Sequence, residues 1–268
     1  MTDTLHRILP QVQKPARYVG GEYNQIVKDK RDVDVRVAFC FPDTYEIGMS
    51  NIGMRILYGL MNELPGVWCE RVFAPWGDME EKMREHAIPL YALESHDPVR
   101  AFDLIAFTIG YEMSYTNILN MLDLSGVPLL ARERKELENI VFAGGVCAVN
   151  PEPLADFIDF FSFGEGEEIT KEILACYRQA KKDGCSKEEF LLRVSRIDGV
   201  YVPSFYEHSY NPDGMLAAIT PKNGAPAKVR KRIVQDMDAA YFPTKTIVPS
   251  TEIVHDRTNL EIFRGCIR

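Results

Sequence analysis

The residues of this 268-residue chain with most chemical meaning are small ones gathered in four short stretches. Phe41 to Asn51 reads FPDTYEIGMSN, Gly110 to Asn117 reads GYEMSYTN, Gly144 to Pro153 reads GGVCAVNPEP, and Gly164 to Glu168 reads GEGEE. Each follows a short apolar run and leads toward a helical pattern. Glycine lets a backbone approach a ligand closely and take up positive φ. A loop that opens a helix offers free N–H groups to an anion or an amide. Tight turns also select glycine, but four such loops on one edge are what a cofactor site requires. The candidate binding residues are Asp43, Thr44, Tyr45 and Gly48, then Ser114, Tyr115 and Thr116, then Gly144 and Gly145, then Gly164, Glu165 and Gly166.

Other chemistries lack their residues. No G-x-G-x-x-G follows the first apolar run, and the Gly164-Glu165-Gly166 stretch follows the wrong strand, with glutamates that would repel phosphate. There is no P-loop. The five histidines, at 6, 86, 96, 208 and 255, are dispersed, so neither a Ser-His-Asp triad nor a histidine metal site has support. The six cysteines form no C-x-x-C pair. Cys40, Cys69, Cys147 and Cys176 read as small core or near-core residues, with no disulfide framework expected. Composition narrows the class further: 46% hydrophobic and 26% charged residues exclude a wholly disordered chain. A net charge of −8 gives no global attraction to nucleic acid. Lys228, Arg230, Lys231 and Arg232 are the only dense basic stretch, either a solvated hairpin face or a contact to RNA or a partner domain. No apolar run nears the ~18 residues of a membrane span, and no secretory h-region opens the chain. A cytoplasmic protein without a membrane segment is expected.

The elements that must position the loops alternate along the chain. Residues 1–34 read as a peripheral N-terminal arm. Val35 to Phe41, Trp68 to Phe73, Leu104 to Ile109, Ile140 to Ala143 and Phe160 to Phe163 read as five buried strands. Between or after them come helical patterns over Ile52 to Met61, Asp78 to His86, Thr116 to Leu124 and Glu168 to Lys182, with a short helix or turn at Pro151 to Phe157. The expectation is an α/β fold with a flavodoxin-like (Rossmann-like) five-stranded parallel sheet, order 2-1-3-4-5, over residues 35–183. Ligands then bind beyond the carboxyl ends of the strands, where all four loops lie. Residues 184–250 read as a small helix and β-rich C-terminal extension with a linker. It comprises a helix over Lys187 to Ile197 and β-like segments at Val200 to Val202, Phe205 to Tyr210, Leu216 to Thr220 and Lys228 to Val234.

The chain resembles the N-terminal part of an uncharacterised family of radical S-adenosylmethionine (SAM) proteins with a cobalamin-binding-like domain. Gly20 to Asn24, Phe41 to Ser50, Glu70 to Glu80, Tyr111 to Asn117, Gly144 to Pro153 and Gly164 to Glu167 carry the resemblance, across most of residues 18–170. In residues 251–268, Glu252 to Asp256 followed by Asn259 to Cys266 looks like the first strand of a radical SAM barrel. That superfamily places a C-x-x-x-C-x-x-C loop after this strand. Its three thiolates bind a [4Fe–4S] cluster on which S-adenosylmethionine is chelated. Cys266 matches the first of them, and the chain reaches only Arg268, so the resemblance implies a truncated barrel and no radical chemistry from this chain alone.

Cobalamin domains of the histidine-ligated kind carry D-x-H-x-x-G after strand 1. Here Asp43-Thr44-Tyr45-Glu46-Ile47-Gly48 keeps the aspartate and glycine but has Tyr45 for the histidine, and a neutral phenol is a poor cobalt ligand. Either a corrin binds without a histidine, Tyr45 facing its lower side and the Ser114–Thr116 and Gly144-Gly145 loops taking its nucleotide tail, or the pocket has lost cobalamin. The resemblance implies a cobalamin-binding-like accessory domain of a radical SAM iron–sulfur enzyme, its partner the missing C-terminal barrel. The alternative is a non-catalytic module that binds RNA or a protein and has no corrin. A free-standing flavin-binding flavodoxin is a third reading, against which the tail argues.

Overall fold

A computed structural model describes residues 2–265 of the chain. Cys266, the expected cluster ligand, lies outside the described residues. Five strands form the expected parallel sheet: β1 (Val35–Phe41), β2 (Val67–Phe73), β3 (Leu104–Thr108), β4 (Ile140–Gly144) and β5 (Phe160–Ser162). Their spatial order is β2-β1-β3-β4-β5, so the winding reverses between β1 and β3. A sixth strand, β6 (Val200–Tyr201), pairs antiparallel with β5. The sequence assigned that segment to the separate extension. The structure corrects this: Val200 and Tyr201 are buried on the main sheet edge. The extension's hairpin is β7 (Tyr206–Tyr210) with β8 (Leu216–Pro221). Lys228 to Val234 forms no strand, only one parallel bridge from Arg232 to Gly164. Residues 251–265 likewise carry no strand, because the extended segment finds no ladder partner among the described residues.

The helices are α1 (Thr2–Ile8), α2 (Tyr45–Gly48), α3 (Ile52–Glu63), α4 (Gly77–Glu85), α5 (Tyr115–Ser125), α6 (Gly166–Lys182) and α7 (Lys187–Val194). Among the described residues no helix is long and apolar enough to cross a membrane. Asn51 starts α3 by accepting the Met54 N–H at 2.9 Å, and the helix buries Met54, Ile56, Leu60 and Met61. Ile169, Ile173, Tyr177 and Ala180 give α6 its buried stripe, as the 3.6-residue spacing requires. Right-handed crossovers that run in opposite directions from β1 put α3 on one face and α4 and α5 on the other. α6 packs with α3, and α4 is tied to α5 by Arg84 to Asp123 at 2.9 Å.

The N-terminal segment is not peripheral. Leu5 and Ile8 are buried, and Glu22 reaches the centre of a buried charge cluster. Arg71 of β2 donates through Nη1 and Nη2 to the two oxygens of Glu22, each at 2.8 Å, and through Nε to Glu94 at 2.7 Å. The arm had looked detached because its apolar residues are few and unperiodic, whereas a carboxylate ties it in.

Among the described residues the outer edge of β2 has no neighbouring strand, yet its backbone groups at Val67, Cys69 and Arg71 are paired. Asn62 donates to the Cys69 carbonyl and accepts from the Cys69 N–H, at 2.9 and 3.1 Å. Glu94 accepts from the Arg71 N–H at 2.6 Å, Leu93 donates to the Arg71 carbonyl at 2.9 Å, and Lys28 donates to the Val67 carbonyl at 2.5 Å.

A second buried pair generates a pH dependence. Arg36 lies 4.2 Å over the Phe102 ring and donates to Glu70 Oε1 at 3.0 and 2.5 Å, while Glu70 Oε2 has no partner among the described residues. Burial pushes the Glu70 carboxyl up to about 7, outweighing Ser95 and Arg36. A raised carboxyl contributes stability that is full below its unfolded value near 4.5 and is lost as pH rises through about 7. Thermal melts of wild type and Glu70→Gln at both ends of that window should show the variant gaining on wild type toward high pH by several degrees. A difference that does not move with pH would contradict this assignment.

Candidate functional site

The sheet register explains why an opening exists at the carboxyl edge. Phe39, Ala106, Phe142 and Phe160 stand in one row across β1, β3, β4 and β5. Two residues further on, and so on the same face, come Thr108, Gly144 and Ser162. Three small residues thus end three adjacent strands, and on β4 and β5 they follow phenylalanines in the row below. Leu57 and Met61 of α3 and Thr170 of α6 cover that face without filling the gap. The result is a slot of about 240 Å³, floored by Phe39 and Phe142 and rimmed by Gly145, Gly164 and Gly166. It has room for a small flat ring system, not for a whole large cofactor.

Two glycines hold the rim. Gly145 has φ +103°, and a Cβ there would lie 2.6 Å from the Ile109 carbonyl oxygen. That close approach lets Ile109 donate to the Gly144 carbonyl at 2.7 Å and accept from the Cys147 N–H at 3.2 Å, stitching the β3 and β4 exits together. Gly164 has φ +99°, and its missing Cβ leaves space for the Arg232 backbone. Glu165 N–H donates to the Arg232 carbonyl at 3.0 Å.

The expected site residues divide. Gly144, Gly145, Gly164 and Gly166 come together on the slot. Asp43 and Tyr115 bind loop to loop: Tyr111 Oη donates to Asp43 Oδ2 at 2.8 Å, and Tyr115 Oη donates to the Asn150 carbonyl at 3.0 Å. Thr44 precedes α2, with its N–H on Asp43 Oδ1 at 2.7 Å, and Thr116 is exposed on α5. Ser114 is buried, its hydroxyl on the Tyr111 carbonyl at 2.7 Å, and Gly48 is buried against Phe41 and Phe73. Glu165 is half-buried, accepts from the Val234 N–H and pairs with Arg264.

Tyr45 requires a correction. It does not line the slot, being only 1% exposed. Its ring meets Phe73 edge-on at 5.3 Å and its hydroxyl donates to Glu22 Oε1 at 3.0 Å. Burial, then the Glu22 charge, raises the phenol well above its ordinary value, so it stays neutral and occupied. Phe39, Leu57, Ala106, Thr108, Phe142, Ser162 and Thr170 are among the lining residues that sequence reasoning missed. Period-2 alternation relates the strand residues among them to one face, but only the register aligns the small ones.

The rim is apolar. Met113, Val146 and Val149 are 83%, 75% and 62% exposed on the loops that follow β3 and β4. Among the described residues, no three His, Cys, Asp or Glu side chains gather in a way that could hold a metal ion.

The chain is an α/β domain with a row of small residues at the carboxyl edge of its reversed parallel sheet, the edge where such sheets bind ligands. The family follows from sequence comparison. The model of the N-terminal region of radical SAM proteins matches residues 53–203, more than half of the chain, and the chain belongs to that family. It is also 29% identical over 222 residues to an uncharacterised protein of Methanocaldococcus jannaschii, a match that covers 78% of this chain and 42% of that protein. The chain therefore spans less than half the length of this relative. No solved structure matches it.

The rim geometry is testable by pairing two glycines. Gly21 also has positive φ, at +77°, but nothing lies near its missing Cβ, whereas Gly145 is crowded. Gly145→Ala should therefore lower unfolding free energy by at least ~1 kcal/mol more than Gly21→Ala in urea titrations. Equal costs would mean that the β3–β4 stitch contributes nothing.

Proposed function

We propose that the chain is the cofactor-binding accessory domain of a radical SAM enzyme, and that its slot takes the flat nucleotide base of a cobalamin bound without a protein histidine. The observation that carries this reading is the Thr108–Gly144–Ser162 row, which leaves a ring-sized gap where the sheet winding favours ligands. The floor of Phe39 and Phe142 suits an aromatic heterocycle, and the free hydroxyls of Thr108 and Ser162 offer it hydrogen bonds. Met113, Val146 and Val149 would shield the apolar parts of a large ring from water. A histidine-ligated corrin does not fit, since Tyr45 is buried and its hydroxyl is taken by Glu22.

When bound, cobalamin would supply methyl or radical transfer. In the whole protein a barrel would supply the [4Fe–4S] cluster and S-adenosylmethionine, with Cys266 as its first cluster ligand. The role of the chain's own residues is to bind, orient and exclude water. The placement of Tyr45 also favours a second reading, a module with no corrin that presents an RNA or protein substrate to the barrel.

Mixing the purified chain with hydroxocobalamin, desalting, and recording the visible spectrum separates the two. Near-stoichiometric corrin absorbance is expected. Ser162→Phe, which fills the slot, should lose it, and Tyr45→Phe should keep it. A colourless wild-type protein would favour the second reading, and retention by a folded Ser162→Phe would sink the slot assignment.

A further inference from the structure

Helix α3 has a second open side. On a different face from the slot, Ile52, Arg55 and Ile56 look across a groove of about 590 Å³ at the connector 242–249 and the segment 256–260. Arg55 is the chemical feature of this groove. Its Nε and Nη2 both donate to the Met49 carbonyl, at 2.9 and 2.5 Å, which fixes the guanidinium plane. Among the described residues its Nη1 makes no hydrogen bond, and Arg55 belongs to no ion pair. Every other described arginine that is not exposed has a carboxylate partner, Arg36, Arg71, Arg134, Arg232 and Arg264 among them. Burial draws down the Arg55 pKa, and Asp256, lining the same groove without pairing, offsets only part of that.

A fixed, partly desolvated cation with one fork nitrogen unused is preorganised for an oxyanion. The hydroxyls of Thr244, Thr246 and Thr258, which also line the groove, have no partners among the described residues. Ile52, Phe242 and Leu260 supply apolar wall. Asp256 disfavours a doubly charged guest. We propose that this groove binds the carboxylate head of a small amphipathic ligand, with Arg55 as its anchor and the apolar body along Ile52, Phe242 and Leu260.

The proposal is independent of corrin binding, and the test keeps them apart by using octanoate as the probe. Isothermal titration of the chain should show saturable octanoate binding and none of octanamide, its neutral counterpart. Arg55→Gln should weaken octanoate by at least roughly tenfold. Leu260→Glu, at a position 76% exposed, places a like charge on the lip and should weaken it as well, without depending on how the fold tolerates the loss of Arg55. Equal binding of octanamide, unchanged octanoate binding in either folded variant, or no octanoate binding by wild type would overturn the proposal. Tighter binding of octyl phosphate than of octanoate would overturn the carboxylate assignment.

Discussion

The guanidinium of Arg71 is the point through which the N-terminal segment, the sheet edge and the first strand-end loop are joined. It is buried between Glu22 and Glu94, with Met49 and Tyr58 against its remaining surface. Burial alone would lower the Arg71 pKa, but the two carboxylates outweigh it and hold the group firmly charged. The carboxylates respond differently. Burial would raise Glu22, yet the Arg71 bonds hold it below its ordinary range, while burial wins at Glu94 and raises it. Removing one partner of such a cluster leaves an uncompensated buried charge, which is far costlier than the intact cluster is favourable. The cluster also fixes Tyr45 through Glu22. The position that matches the histidine of the D-x-H-x-x-G pattern is thereby committed to structure.

With that corner committed, the opening at the carboxyl edge lies further along the sheet. The winding reversal separates the β1 and β3 exits, and the shortened side chains of Thr108, Gly144 and Ser162 extend the crevice toward β5. Bulky residues at those ends would fill the space beneath α3 and α6. Both helices keep their apolar stripes over the deeper rows, so the core is packed and only its upper layer is open. The packed core and the open slot thus occupy successive layers of one face.

Much of this was legible in the sequence. Five apolar runs bounded by Gly, Pro or Asp gave the strands, and helical spacing gave α3 and α6 almost to their observed ends. Gly144, Gly145, Gly164 and Gly166 stand out in the sequence because glycine lets a backbone approach a ligand closely, although tight turns select it as well. Register was not legible, since nothing local says that Ala106 stands beside Phe39 and Phe142, and the slot depends on that alignment. The two-residue β6 is too short to show a period, and its pairing comes from its place beside Phe161 and Ser162. Tyr45 was misplaced because matching its loop to a motif fixes spacing but not side-chain direction. The buried partner that turned it inward lies 23 residues away in sequence.

The paired outer edge of β2 limits how the sheet associates with anything else. Asn62 imitates a peptide group against Cys69, and Lys28, Leu93 and Glu94 occupy the remaining positions. No row of idle donors and acceptors is left on that flank to recruit a foreign strand, which protects the domain from self-templated aggregation. On that flank, anything added to the domain meets side chains rather than an open strand edge, which leaves strand addition to the β6 edge and the exposed β7–β8 hairpin.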